Sequence, residues 1–354
     1  MKKALISLIV SIITLTATAQ QTELKLWYDK PATCFEEALP IGNGRLGAMI
    51  YGGADVDSIY LNDITMWSGK PFDKQLDRDA HQWLPAVREA LFKENYKLAD
   101  SLQLHLQGHN SQFYRPLAQL YIKDNDLHNA EASGYKRRLD INNSIYTETY
   151  HHGDFGLYSR TIFASNPDRL IAIKLKAHYN EGEAFGRINN TLRMSAIVPH
   201  ETRAEGKSIT VLGRSDEDEN SIHFCTKLIV QNKDGEVKAS GDSLVIKDAS
   251  EVVIYIINET NFKAYNIQPD KNNKDYIDAV NLQAQRLEHK SFESIMQRHK
   301  LDYKQIFDRF NIVLNNAKEP KDIPTKSAIR YPTPSKYFAS ACGIFASDHR
   351  TEFV

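Results

Sequence analysis

The sequence predicts a mainly β protein: one large antiparallel β-sandwich (a super-sandwich) with a helical insertion and helices at its carboxy-terminal end. From Leu24 to about Thr260 apolar residues recur mostly with period two, in short runs divided by turn residues. Most of these runs have no helix between them, so neighbouring strands must pair antiparallel and not through crossover helices. Tyrosine (17) and phenylalanine (15) are plentiful, which suits pleated sheets and also surfaces that stack on cyclic ligands.

The amino-terminal residues stand apart from that fold. Met1, Lys2 and Lys3 make a short positive start, Ala4–Leu15 is a largely apolar run, and Ala17, Thr18 and Ala19 give the small-x-small pattern read by signal peptidase. Twelve residues make about 18 Å of helix, too short for a hydrocarbon core of about 30 Å. Residues 1–19 are therefore expected to be a signal peptide, and the mature protein to be exported to the periplasm or beyond, with no membrane span after cleavage.

Within residues 20–272 the clearest strands are Leu46–Tyr51, Ser58–Leu61, Ile145–Tyr150, Tyr158–Ala164, Arg169–Lys176, Ser208–Leu212, Ile222–Val230, Glu236–Ala239, Ser243–Ile246 and Glu251–Ile257. Asp234-Gly235 and Gly241-Asp242 mark hairpin turns between the last of them. Gln82–Gln107 reads as one helix, with Leu84, Val87, Leu91, Leu98, Leu102 and Leu106 at helical spacing and Gly108–Asn110 ending it. After Thr260 the period changes. Asp275–Phe310 reads as helix, and Phe292, Ile295, Met296, His299, Tyr303, Phe307 and Phe310 form a stripe that must dock on the sandwich or on a further domain. Residues 273–325 thus form a helical linker.

Charge and cysteine content exclude several functions. With 44 basic and 45 acidic side chains there is no broad pull towards nucleic acid. The three cysteines, Cys34, Cys225 and Cys342, are too far apart for a zinc cage or redox dithiol, and Cys225 reads as a small core residue. His151-His152 and His105–His109 lack a third ligand at a suitable spacing, and the acidic run Asp216–Glu219 reads as a solvated loop. No metal and no cofactor are expected. Glu36 and Glu37 would point to opposite faces of a strand, so they cannot act as a carboxyl pair on one substrate.

The most unusual stretch is Leu39–Gly53 (LPIGNGRLGAMIYGG), with five glycines in twelve residues. It leads into a strand and has no Gly-Lys-Ser/Thr, so it is no phosphate loop. Leu61–Pro71 (LNDITMWSGKP), Tyr114–Leu117 (YRPL), Tyr135–Asp140 (YKRRLD) and Phe163–Asp168 (FASNPD) follow in order, and His299–Phe307 (HKLDYKQIF) lies in the linker. Together these segments resemble the amino-terminal module of glycoside hydrolase family 95, the α-L-fucosidase-type enzymes, from about Leu26 to about Thr325. The resemblance implies a β-sandwich, linker helices and then an (α/α)6 barrel carrying the catalytic groups. There a glutamic acid protonates the leaving oxygen, and asparagines with an aspartate activate water. It also implies cleavage of terminal α-fucosides, sometimes α-galactosides, with inversion, so the partner is a glycan.

No residue here is assigned a catalytic role, because those positions lie in a barrel that the 29 residues after Thr325 cannot build. Lys326–Val354 lacks a helical stripe and departs from the family pattern; it reads as a frameshifted tail, a short paralogue being the alternative. The expected protein is thus a truncated hydrolase module, inactive alone, or else a freestanding carbohydrate-binding or scaffolding sandwich. Asn62, Asp63 and Trp67 follow a strand on a turn that could reach a sugar pocket, with Trp67 stacking on a pyranose face; the competing reading is an edge plug with capping side chains. Asn43 and Arg45, in the glycine-rich turn, could contact sugar or barrel, although such pairs more often stitch loop backbone.

Overall fold

A computed structural model describes residues 24–69, 79–107, 112–127, 132–152, 156–178, 187–311 and 324–325. The expected signal peptide, the residues proposed to end the insertion helix (Gly108–Asn110), and the atypical tail with Cys342 lie outside the described residues.

The strands are β1 Lys25–Tyr28, β2 Leu39–Gly42, β3 Leu46–Ile50, β4 Val56–Asp63, β5 Ala118–Asp124, β6 Ala132–Asp140, β7 Ile145–His152 and β8 Leu157–Ser165. They continue as β9 Leu170–His178, β10 Asn190–Ser195, β11 His200–Glu205, β12 Ser208–Arg214, β13 His223–Asn232, β14 Glu236–Ser240, β15 Ser243–Lys247 and β16 Glu251–Thr260. Nine strands form one sheet in the order β1-β6-β7-β8-β9-β16-β13-β12-β11, and seven form the other in the order β14-β15-β10-β5-β4-β3-β2. The pairings are antiparallel throughout. This is the predicted antiparallel sandwich.

Strand β16 shows how sequence becomes layer. Its run Val252–Ile257 is apolar on both faces, as a strand covered on both sides must be. Val252, Ile254 and Ile256 enter the core between the sheets, with Leu120, Ile173 and Leu228. Val253, Tyr255 and Ile257 point the other way, into a second core shared with Tyr276, Val280, Phe292 and Ile295. Those four residues lie on helices that pack on the outer face of the nine-stranded sheet.

The helices differ from expectation in one respect. The single helix expected over Gln82–Gln107 is two, α1 (Leu84–Phe92) and α2 (Tyr96–Gln103), flanked by 3-10 turns. Glu94 takes a left-handed φ of 55° and Asn95 caps the second helix by accepting from Leu98 N at 3.2 Å. The carboxy-terminal stretch divides likewise into α3 (Asp275–Leu287) and α4 (Phe292–Phe307), with Ser291 accepting from Ser294 N at 3.3 Å. The α4 stripe docks on the sandwich: Phe163 on β8 meets Phe292 edge-on at 5.2 Å and stacks on His299 at 4.8 Å. Tyr303 donates its hydroxyl to Ile141 O at 2.7 Å, while Phe310 stays 73% exposed.

Candidate functional site

The glycine-rich turn and the end of β4 meet at one end of the sandwich. Asn43 closes the β2–β3 turn: its N–H donates to Leu46 O, and its Oδ1 accepts from Arg45 N (3.0 Å) and Leu46 N (2.7 Å). Its Nδ2 then crosses to the other sheet and donates to Ser165 O at 2.9 Å. Arg45 leaves the same turn and reaches Asp63 (3.2 Å) and Glu259 (2.9 Å), while Arg169 holds the other oxygen of Glu259 at 2.8 Å. Burial alone would lower the Arg45 pKa, but Glu259 and Asp63 outweigh it and raise it.

Asp63 is fully buried. Its Oδ1 accepts from Thr65 N (2.9 Å) and Thr65 Oγ1 (2.7 Å), and its Oδ2 accepts from Asn258 Nδ2 at 2.8 Å. Asn258 in turn accepts from Thr226 Oγ1 at 2.8 Å. Asn43, Arg45 and Asp63 are thus brought together in a network that bonds one sheet to the other, with little of it facing solvent. Asp168 extends it towards the helices: it accepts from Ser165 Oγ at 3.1 Å and pairs with Lys290 (3.0 Å) and Arg298 (2.8 Å).

Asn62 and Trp67 are placed differently. The turn after β4 sinks Met66 into the core and is tied on both sides: Arg115 N donates to Met66 O at 2.9 Å, and Ser215 Oγ donates to Trp67 O at 2.7 Å. Between those ties the Trp67 side chain stays 44% exposed. Its indole N–H donates to Ile64 O at 3.0 Å, and Tyr114 meets the ring edge-on at 6.3 Å. The Tyr114 hydroxyl donates to Asn62 Oδ1; burial and the charge of Asp63 push its pKa up to about 12. Trp67 is thus packed on one side and open to solvent on the other.

Trp67 forms one wall of an open depression of about 540 Å³. Ile64, Ile222, Phe262, Tyr265 and Ile267 form the other apolar walls, and Gln112 and Asn266 supply side-chain amides. Gly69 turns at a φ of +73°, where a Cβ would collide with the Gln112 amide, so glycine keeps that amide at the rim. Phe262, Tyr265 and Ile267 escaped notice in the sequence because they sit in an irregular segment without period. Their only signal was three large apolar residues spaced among Lys263, Ala264 and Asn266 soon after a strand ends.

Comparison with known proteins adds the family. The profile described as glycosyl hydrolase family 65, N-terminal domain, matches residues 26–265. The chain belongs to this family. Among curated proteins it is 26% identical to alpha-L-fucosidase 2 of Arabidopsis thaliana over 313 residues, which is 83% of this chain and 37% of that protein. It is also 26% identical to probable alpha-fucosidase A of Aspergillus niger over 317 residues, 85% of this chain and 39% of the relative. A third relative, probable alpha-fucosidase A of Aspergillus oryzae, is 29% identical over 47% of the chain and 24% of its own length. The chain thus spans about two-fifths of the length of the first two relatives.

Among the described residues, two pairs of carboxylates share an arginine, and neither forms an open acid–base pair. Asp57 and Glu148 share Arg160 Nη1 at 2.5 and 3.2 Å, and both carboxylates are fully buried. Asp63 and Glu259 share Arg45 as described. A glycosidase needs two carboxyls flanking a sugar with room for water, which a pair clamped on one arginine between them does not offer. Glu36 and Glu37, expected on a strand, lie instead in a 3-10 turn, because the chain bends at Cys34–Ala38 before entering β2; Glu37 accepts from Thr33. His105 stacks on Trp83 at 3.9 Å, and His152 is buried against Tyr158. Among the described residues no three His, Cys, Asp or Glu side chains cluster as metal ligands, and no helix is long and apolar enough to cross a membrane.

Proposed function

We propose that this chain is the amino-terminal sandwich module of an exported glycoside hydrolase acting on non-reducing terminal α-L-fucosides or related α-galactosides, and that the module does not hydrolyse them by itself. The observation that carries the reading is the match to plant and mould fucosidases over 83% and 85% of the chain. The clamped carboxylates support the second half, since none of those pairs can both protonate a leaving oxygen and activate water. Exposed Leu301, Ile306 and Phe310 around the end of α4, with Phe92 and Tyr96 on the insertion, are surfaces that a further segment would cover.

The purified chain is expected to release no nitrophenol from p-nitrophenyl α-L-fucoside or the α-galactoside. Turnover that survives removal of contaminating activity would refute the non-hydrolytic half. Export is tested by amino-terminal sequencing of the protein recovered from periplasm and medium: a start at Gln20 is expected, and an intact Met1 would overturn it.

A further inference from the structure

The depression beside Trp67 has an unusual lining. Although 25% of the chain is charged, none of the thirteen described residues that line it is Asp, Glu, Lys, Arg or His. Three of them are aromatic and open to solvent: Trp67 at 44%, Tyr265 at 82% and Phe262 at 39% exposure.

We propose that this depression is a binding site for a neutral oligosaccharide, whose pyranose faces stack on Trp67 and Tyr265. The choice of sugar over other neutral ligands rests on the glycoside hydrolase reading above. The site's chemistry selects within that class. Among the described residues the lining offers no cation to offset the desolvation of a uronate, sulfate or phosphate, which favours an uncharged ligand. A pyranose offers an apolar C–H face to an aromatic ring and hydroxyls at its edge, which matches rings flanked by the Gln112 and Asn266 amides. The volume of about 540 Å³ lies within the usual range for small-ligand sites and leaves room for more than a single ring.

The platform is also held in place without ligand. Met66 anchors the turn in the core, the Trp67 carbonyl is bonded to Ser215, and the indole N–H is bonded to Ile64 O. With its polar atoms engaged internally, the indole offers only its π-surface, and little ordering cost remains to be met on binding.

Isothermal titration of the full chain with 2′-fucosyllactose and cellotetraose, with tetragalacturonate as the anionic control, tests the site. Saturable binding of a neutral oligosaccharide is expected, with Trp67→Ala and Tyr265→Ala each weakening it by about ten-fold or more. Phe92→Ala, on an exposed ring of the insertion, should leave it unchanged, and circular dichroism should show all three variants folded. The proposal is overturned if no neutral oligosaccharide binds, if tetragalacturonate binds equally well, or if both site variants bind like the parent. It is also overturned if Trp67→Ala changes only the sedimentation of the chain, which would make the depression a protein contact. Absence of binding would leave the hydrolase-module reading standing, whereas fucoside turnover by the chain would sink its non-hydrolytic half and leave the binding site intact.

Discussion

Asn258 and Asp63 lie near the ends of strands in opposite sheets, 195 residues apart, and are joined by a 2.8 Å hydrogen bond inside the fold. Asp63 also holds Thr65, at the root of the Trp67 turn, and Arg45. Asp63→Ala would leave several buried donors without an acceptor, each such loss costing about 1–3 kcal/mol. Urea denaturation should show a loss of a few kcal/mol, and hydrogen exchange should show Ile64–Gly69 opening first. An unchanged midpoint would mean that the two sheets do not need this bond.

The buried pair Asp57 and Glu148 makes stability depend on pH in an uncommon direction. Burial pushes Glu148 up to about 7, against the pull of Arg160 and with the repulsion of Asp57 added. Between the ordinary value near 4.5 and about 7 the folded chain holds a proton that the unfolded chain has lost. Stability from this group is therefore complete below about pH 4.5 and declines as pH rises towards 7. Glu148→Gln, measured by thermal melts from pH 5 to 8, should flatten that decline; a variant with the parent's slope would exclude Glu148 as its source.

Asp168 works in the opposite sense. Burial alone would raise its pKa, but Arg298 and Lys290 outweigh it, so its pKa falls below the usual carboxylate value. Its contribution is present at neutral pH and is lost as pH falls through the folded value. Asp168→Asn should speed hydrogen exchange in Phe292–Phe307 more than in β16, because it loosens the clamp on α4 without touching the inter-sheet core. Equal protection in the variant and the parent would show that Phe292 and Ile295 hold the helix without the ion pairs.

Cys225 lies under the helices, and burial pushes its thiol up to about 12. It should resist iodoacetamide at pH 8 in the native protein and react on unfolding, as read by peptide mass spectrometry. Rapid native labelling would mean that α3 opens readily from the sheet. Truncating the ring beneath α4, Phe163→Ala, should accelerate that labelling, since such core deletions cost about 3–5 kcal/mol.

Several elements were legible in the sequence because their cause is local. The alternation in Ser208–Leu212 and Ile222–Val230 marked strands that the fold contains, and the continuous apolar run of β16 announced burial on both faces. The stripe from Phe292 to Tyr303 announced a docked helix. Strands such as β6 and β10 were not legible. β6 carries charge and a bulge at Ser133–Lys136, and β10 has only Leu192 and Met194 as large apolar residues among polar ones, so each is a strand mainly because its neighbours pair with it. The breaks at Glu94 and Glu288–Ser291 were signalled by Asn95 and Ser291, cap residues set inside patterns that otherwise run on.

What the sequence by itself determined is the class of fold and the set of residues at one end of it: period fixes which face of each strand is buried, and the turn residues fix where strands stop. Only the tertiary structure decided their roles. Asn43, Arg45 and Asp63 read alike with Asn62 and Trp67 as loop residues near a glycine-rich turn, yet three bond sheet to sheet while Trp67 stands outside. That division depends on where β16 brings Asn258 and Glu259 and where the segment after it leaves Phe262 and Tyr265. Those partners are some two hundred residues away, and no local pattern records a contact made only when two sheets close.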